Sequence, residues 1–404
     1  MRGGSNVKKI KVLVMAVLMV VSSSSVAFAQ GNVFDIDAAI NLALKNSYDI
    51  KMQNYSVESA QNGVDQADEA AENADVTLIN NENIIDLKDK PDKTEAEKKL
   101  LERFVPLSYD QRYSLIKTKE LGPLEAKYQL TVATNNKEVA ENTLKWNIYS
   151  KYSILMNLKD SMDLEQKKVD NLLATYKKSQ LQMELGSISK IAARKSEASY
   201  ANEKPVLVKF QRNMETSQMS MNQVIGEDIY KTYNSFSKDI TLETPKVKTL
   251  NEYLLDAFKN RVEIVNAEGK LNLKKSAYEI AAREYPDESE RNNQSAKYDI
   301  EEAQSNLDML KLNIQQEITD SYNDLAKKAK TIEYSQKAFN IAKKNYDESL
   351  IKYNLGMISK IDLNSSEITY KQAENSLKSL ERDLWLAQLR MEYQCGKGIT
   401  TPTS

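Results

Sequence analysis

Apolar residues recur every three or four positions along two stretches of the chain, each about 60 residues long. The stretch from 296 to 355 contains neither proline nor glycine, and its apolar positions are Ile300, Ala303, Leu307, Leu310, Ile314, Ile318, Tyr322 and Leu325. The same pattern spans 126 to 185. A continuous helix of this length is about 90 Å long, which is too long for a compact core to cover. The pattern therefore predicts long helices that pack lengthwise as coiled coils.

The two stretches belong to an internal repeat whose second copy follows the first at an offset of 170. Leu-Gly-Ser-Ile-Ser-Lys-Ile at 185–191 matches Leu-Gly-Met-Ile-Ser-Lys-Ile at 355–361, and the match needs no gap from 126 to 226. The front of each half also matches, 40–50 with 254–264, but at an offset of 214. The first half therefore holds 44 additional residues, the difference between the two offsets, in an insertion at about 77–125.

The repeated heptapeptide predicts a tight helix–turn–helix hairpin in each half. Gly186 and Gly356 stand where a helix would stop, because glycine adopts the left-handed C′ conformation without strain. Ser189 and Ser359 follow as N-caps of the next helix. The predicted hairpin tips comprise Leu185, Gly186, Ile188, Ser189 and Lys190 in the first half, and Leu355, Gly356, Ile358, Ser359 and Lys360 in the second.

Each half is predicted to contain a leading helix, the long helix and a return helix of about 36 residues. The leading helices are expected over Ile36–Asn73 and Leu250–Glu284, and the return helices end at Gly226 and Gly396. Leading and return helices together are long enough to lie end to end beside the long helix. The fold class is all-α, with long antiparallel coiled-coil helices in two tandem repeats, 30–235 and 236–404, and little or no β structure.

The N-terminal segment 1–29 has the pattern of a secretory signal peptide. Three lysines precede an apolar run at 12–21, and Ala27, Phe28 and Ala29 form a small-x-small cleavage sequence. The apolar run is shorter than the roughly 20 residues of a spanning helix. We expect the mature chain to begin near Gln30 and to work outside the cytoplasm, in the cell envelope.

Composition narrows the chemistry that the chain can perform. The 404 residues include no histidine and one cysteine, Cys395, so Ser-His and Cys-His pairs and thiol metal clusters are excluded. The net charge of −2 does not indicate nucleic-acid binding. We expect no enzyme activity, no cofactor and no metal site.

The ordered set of motifs resembles the TolC-type outer membrane efflux proteins. It consists of the opening sequence at 34–46, the doubled hairpin tips, and the closing glycines Gly226 and Gly396, and it covers almost the whole mature chain. The resemblance implies a homotrimer in which each chain contributes four helical strands to a twelve-helix tunnel. It also implies a conduit role beside an adaptor (a membrane fusion protein) and an ABC or other exporter.

The sequence departs from this family at the segments where membrane strands are expected. Residues 285–295 are charged and polar and predict a plain turn. The insertion at 77–125 predicts a helical or loop cap, with helices over 93–104 and 108–120 and Gly122-Pro123 before the long helix. A short strand pair near Val76–Ile79 is the alternative. The resemblance thus implies an outer membrane location, but strands that would cross it are not evident.

The resemblance places a tunnel entrance at the second hairpin. Asp362 matches one acidic position of the family, whereas Ser365 stands at the other, and Ile358 replaces an arginine that helps to lock the entrance. A carboxylate at Asp362 is also favoured by the helix dipole whatever the function, so both interpretations stay open. Lys190 and Lys360 could contact an adaptor or could be solvated charges.

A secreted coiled-coil scaffold or partner-binding protein without a channel is the alternative function. It would share the helices, the hairpins and the signal peptide, but it would be a monomer or dimer. The oligomeric state and the presence of an open lumen distinguish the two hypotheses.

Overall fold

The computed structural model describes residues 33–237, 248–287 and 289–400, so the predicted signal peptide lies outside the described residues. The elements in chain order are β1 (Val33–Phe34), α1 (Ile36–Asn46), α2 (Tyr48–Asp89), α3 (Glu95–Arg103), α4 (Tyr109–Glu120), α5 (Gly122–Glu184), α6 (Lys190–Ile225), β2 (Ser235–Phe236), α7 (Leu250–Asn260), α8 (Val262–Glu284), α9 (Arg291–Asn354) and α10 (Lys360–Cys395). The all-α prediction is confirmed. The two short strands pair in parallel, with Val33 opposite Ser235.

The long helices α5 and α9, of 63 and 64 residues, organise the molecule. Helices α2 and α6 both lie along α5, and α8 and α10 both lie along α9. Helix α5 also contacts α8 and α10. The helices therefore form one layer in the order α2/α6, α5, α8/α10 and α9. Among the described residues, α9 makes no extensive contact with α2 or α6, so these elements are the two edges of the layer.

The predicted core face of the long helices is buried. Ile148 on α5 and Ile318 on α9 occupy equivalent positions of the two repeats, and both are fully inaccessible to solvent. Ile148 packs with Tyr152 and α1 in one cluster, and Ile318 packs with Leu307 and α7 in another. The three-and-four spacing thus identified the residues that the neighbouring helices cover.

The leading helices are broken, which corrects the prediction of continuous helices over Ile36–Asn73 and Leu250–Glu284. Extended ψ angles of 126° at both Ser47 and Arg261 separate α1 from α2 and α7 from α8. The break allows α1 to pack on both α5 and α6, while α2 follows α5 and packs on α4 near its C-terminal end. Beyond the break, α2 continues to Asp89 and includes Val76–Ile79, so the alternative of a strand pair there is wrong.

Asparagines at the ends of α1 and α7 connect the leading helices to the return helices. The side-chain amide of Asn46 donates to the carbonyl of Gly226 over 3.2 Å, and that of Asn260 donates to the carbonyl of Cys395 over 3.4 Å. Gly226 has φ 73°, and a Cβ there would lie 2.7 Å from the Cβ of Asn46. Only glycine satisfies both the left-handed backbone and this close approach.

The insertion is helical and packs at the end of the layer opposite the hairpin tips. Thr94 and Ser108 begin α3 and α4 with capping boxes. Leu78, Ile116, Leu121 and Ile280 form a small core that joins α2, α4 and α8. The predicted turn at 285–295 is shorter than expected, because α9 begins at Arg291. Within the described ranges, every helix is either too short or too polar to cross a membrane.

Candidate tunnel entrance at the hairpin tips

Both hairpin tips end the long helix in the same way. Gly186 has φ 71° and Gly356 has φ 74°. At the first tip, the N–H of Gly186 donates to Met183 and the N–H of Ser187 donates to Gln182. At the second tip, Gly356 donates to Tyr353 and Met357 donates to Lys352. This pair of bonds is the Schellman motif, which satisfies the last helical carbonyls and reverses the chain.

The serines of the tips begin the return helices. The Oγ of Ser189 accepts from the N–H of Ala192 over 3.2 Å, and the Oγ of Ser359 accepts from the N–H of Asp362 over 3.3 Å. Each bond satisfies one of the free N–H groups of a helix N-terminus. The glycine and serine of each tip therefore have a structural role, and they hold the side chains between them at the end of the layer.

Asp362 closes a capping box at the second tip. Its carboxylate accepts from the N–H of Ser359 over 3.1 Å and from the Ser359 hydroxyl over 2.6 Å. These hydrogen bonds hold the pKa of the Asp362 carboxyl below its ordinary value, and Lys178 adds a smaller effect of the same sign. The structural interpretation of Asp362 is thus correct. An additional role at a tunnel entrance remains a proposal.

Ser365 lies in the contact between α10 and α5. Its hydroxyl donates to the carbonyl of Ile361 over 3.0 Å and accepts from the side-chain amide of Asn171 on α5 over 3.0 Å. The structure therefore places Asp362 and Ser365 one turn apart on α10, but gives them different partners. Ser365 connects two helices, whereas Asp362 connects the helix to its own cap.

The remaining predicted tip residues project from the end of the layer. Ile188 and Ile358 are half-buried, while Leu185 and Leu355 are 71% and 69% exposed. The ammonium of Lys360 lies 5.4 Å from the ring centroid of Tyr353, a cation–π contact, and Lys190 is exposed. Sequence reasoning missed two further apolar side chains at the tips, Ile191 and Met357, which are 81% and 68% exposed. Their exposure follows from the hairpin geometry, which no helical periodicity reveals.

Sequence reasoning also missed a buried ionic contact above the tips. Arg382 of α10 is 2% exposed, and its Nη1 donates to Asp160 Oδ2 and to Asn157 Oδ1 of α5, each over 2.7 Å. Closer to the tips, Lys167 of α5 pairs with Glu367 of α10. The two ion pairs lie at different levels along the helices, so together they hold α5 and α10 in one lengthwise register.

A buried acid lies between α5 and α6. Glu165 is 3% exposed, and its Oε2 lies 3.0 Å from Lys168 Nζ. A hydrogen bond with Glu165 raises the pKa of Glu203 on α6, and burial adds to this increase. Across the described ranges, no group of three acidic or thiol side chains converges as a metal site would require.

Comparison with known proteins relates this layer of helices to solved channels. No family model matches the sequence, and no curated protein is similar to it at the level of sequence. The outer membrane protein VceC from Vibrio cholerae matches with a TM-score of 0.60 and 13% identity over 90% of this chain and 96% of that one. The Campylobacter jejuni outer membrane channel CmeC matches with a TM-score of 0.60 and 11% identity, over 91% and 87%. The chain has the TolC-type fold.

The match extends across both halves of the chain. The open state of the Neisseria gonorrhoeae MtrE outer membrane channel aligns with a TM-score of 0.56 and 13% identity, over 91% of this chain and 90% of that one. With identities of 11–13%, the match shows that the fold is shared and does not show that any side chain is. The chemistry of the tips must therefore be argued from this chain's own residues.

Proposed function

We propose that the chain is the protomer of a homotrimeric helical conduit in an export system of the cell envelope. The observation that supports it is the pair of edges that the described helices leave without extensive contacts, on a layer of TolC-type fold. A layer whose two edges differ can join identical copies head to tail, and such contacts close into a ring when the rotation permits. A ring of three copies would enclose a lumen lined by the long helices.

The exposed apolar side chains support association through these edges. On α9, Tyr334 and Ile341 are 60% and 63% exposed, and on α6 Val208 is 43% exposed. At the repeat offset of 170, Tyr334 is equivalent to Leu164 of α5, and Leu164 lies beside α10. Val208 is equivalent to Lys378 of α10, and Lys378 lines the same groove between α5 and α10 as Leu164. The edges thus carry apolar residues at positions where the internal α5–α10 contact is also formed.

The hairpin tips would form the entrance of the conduit and the surface for an adaptor. Leu185, Ile191, Leu355 and Met357 are exposed at the end of the layer, and apolar side chains clustered in this way mark interaction sites. Lys190 and Lys360 would surround them with positive charge. Asp362 would place one carboxylate per chain near the lumen. An exporter would supply the cargo.

A disulfide between copies tests the conduit. In the internal contact, Asn171 donates to Ser365 over 3.0 Å, and the corresponding pair between copies is Ile341 and Lys195. The double variant Ile341→Cys with Lys195→Cys should give dimers and trimers on mild oxidation, with no larger species. Closed rings with a stained centre in electron micrographs should accompany them.

The single variant Ile341→Cys is the control, because it carries one half of the pair. The native Cys395 is buried and should contribute no cross-link. A chain that stays monomeric at high concentration, with no cross-linked species, would contradict the conduit and favour the secreted scaffold.

A further inference from the structure

The internal contact between α5 and α10 serves as a template for the contact between copies, an inference that rests on the proposed function. Helix α9 corresponds to α5, and α6 corresponds to α10, at the repeat offset. Helix α9 is an edge in one copy, and α6 lies on the opposite edge. Each residue pair of the template therefore has a counterpart between α9 of one copy and α6 of the next.

Nearest the tips, the counterparts attract each other. Lys167 and Glu367 of the template correspond to Lys337 and Glu197, which keep the same charges. Asp163 and Glu374 line one groove of the template and correspond to Glu333 and Lys204, which are opposite in charge. These four edge residues are exposed in the single chain.

Farther from the tips, the counterparts repel each other. The template's buried Arg382 corresponds to Arg212, so the arginine is retained. The two residues that Arg382 contacts are not retained. Lys330 stands at the position equivalent to Asp160, and Lys327 stands at the position equivalent to Asn157. Arg212, Lys327 and Lys330 are all exposed in the single chain. Lys209 stands beside Arg212 in a groove on the surface of α6 and adds a further positive charge.

We propose that the contact between copies contains a like-charge cluster of Arg212 with Lys327 and Lys330, and that this is the level at which the ring is weakest. Bringing like charges together in a partly desolvated contact costs free energy. In the template the equivalent arginine, Arg382, faces the carboxylate of Asp160 instead, and this pair stabilises the contact. The pairs nearer the tips lie about 10 Å away, at 1.5 Å per residue over the seven residues from Lys330 to Lys337. At about 0.1 M salt the Debye length is also about 10 Å, so each level is partly screened from the other.

Restoring the template's acid should tighten the ring. Lys330→Asp places a carboxylate opposite Arg212, as Asp160 lies opposite Arg382. We expect the concentration at which half of the purified protein is assembled, measured by sedimentation velocity, to fall about tenfold at low salt. For a trimer this is about a hundredfold change in the association constant, or about 2.8 kcal/mol shared by the three contacts of the ring. The gain should shrink at about 1 M salt, where the Debye length is about 3 Å.

Two further variants isolate the cause. Lys99→Asp makes the same change of net charge on α3, at the opposite end of the molecule, and should leave assembly unchanged. In the Arg212→Gln background, Lys330→Asp should lose most of its effect, since the pair no longer exists.

The outcomes separate this inference from the proposed function. Wild-type rings that are indifferent to Lys330→Asp at every salt concentration would overturn the like-charge cluster and leave the conduit standing. A chain that remains monomeric in every variant, including Lys330→Asp, would overturn both.

Discussion

The guanidinium of Arg382 donates to the carboxylate of Asp160 over 2.7 Å, although the two residues stand in different repeats of the chain. Arg382 is almost fully buried, and Asp160 retains about a fifth of its side-chain exposure. Truncating one partner of such a pair leaves the other without its counter-charge in a poorly solvated place. The pair therefore contributes to both the stability and the register of α5 against α10.

We expect Arg382→Ala to lower the free energy of unfolding by about 3 kcal/mol, measured by urea denaturation. The loss should include packing as well as charge, because the arginine stem is buried. Arg194→Ala, at an exposed position on α6, is the matched control and should change stability by less than about 0.5 kcal/mol. Equal effects at the two positions would show that the buried pair contributes nothing.

Three glycines should respond differently to alanine. Gly356→Ala should lower the free energy of unfolding by about 1 kcal/mol, because φ is 74°. The loss should be no larger, since an added Cβ meets no atom within 4 Å. Gly226→Ala should cost more, since the same backbone strain is joined by the collision with Asn46. Gly63 lies inside α2 with open space around it, so Gly63→Ala should stabilise the protein by about 0.5–1 kcal/mol. Urea midpoints in any other order would contradict this.

The Glu165–Glu203 contact should make stability depend on pH. The pKa of Glu203 is raised in the folded chain, chiefly by the hydrogen bond with Glu165, while Lys168 opposes the increase. The protonated form is thus favoured by folding. The contribution of protonated Glu203 to the free energy of unfolding is fully present below the pKa of the unfolded state, for which the ordinary value is 4.5. This contribution is lost as pH rises through the raised pKa of the folded state.

Glu203→Gln should remove this dependence, because glutamine donates to Glu165 at every pH. The variant should be more stable than the wild type above the raised pKa, and the difference between the two should vanish at lower pH. Glu215→Gln, at an exposed position on the same helix, is the control. Parallel stability curves for wild type and Glu203→Gln would refute the assignment.

The thiol of Cys395 should be inert in the folded protein. Burial raises its pKa to about 12, so almost no thiolate is present at neutral pH, and its Sγ lies 3.6 Å from the Sδ of Met391. A thiol reagent at pH 8 should label the protein only after denaturation in urea. The variant Lys99→Cys gives the comparison, since a thiol at this exposed position on α3 should react at once. Rapid labelling of the wild type would show that α10 opens near its end.

The sequence by itself determined the long helices, their C-terminal ends and the hairpins. Apolar spacing marked the buried faces at Ile148 and Ile318, and a helix stops at Gly186 and Gly356 because these are local backbone preferences. Helices α6 and α10 begin at Lys190 and Lys360, directly after the predicted serine caps. Such features depend on a few neighbouring residues, so they can be read from the chain without its fold.

Only the tertiary structure decided how the two repeats pack against each other and which charges meet. Before the break at Ser47, α1 packs against both α5 and α6, and the partners of Arg382 lie on a helix of the other repeat, far away along the chain. Asp362 could be assigned to its cap only when the direction of its side chain was known. Pairing across such distances depends on the lengthwise register of packed helices, which one helix's periodicity does not specify.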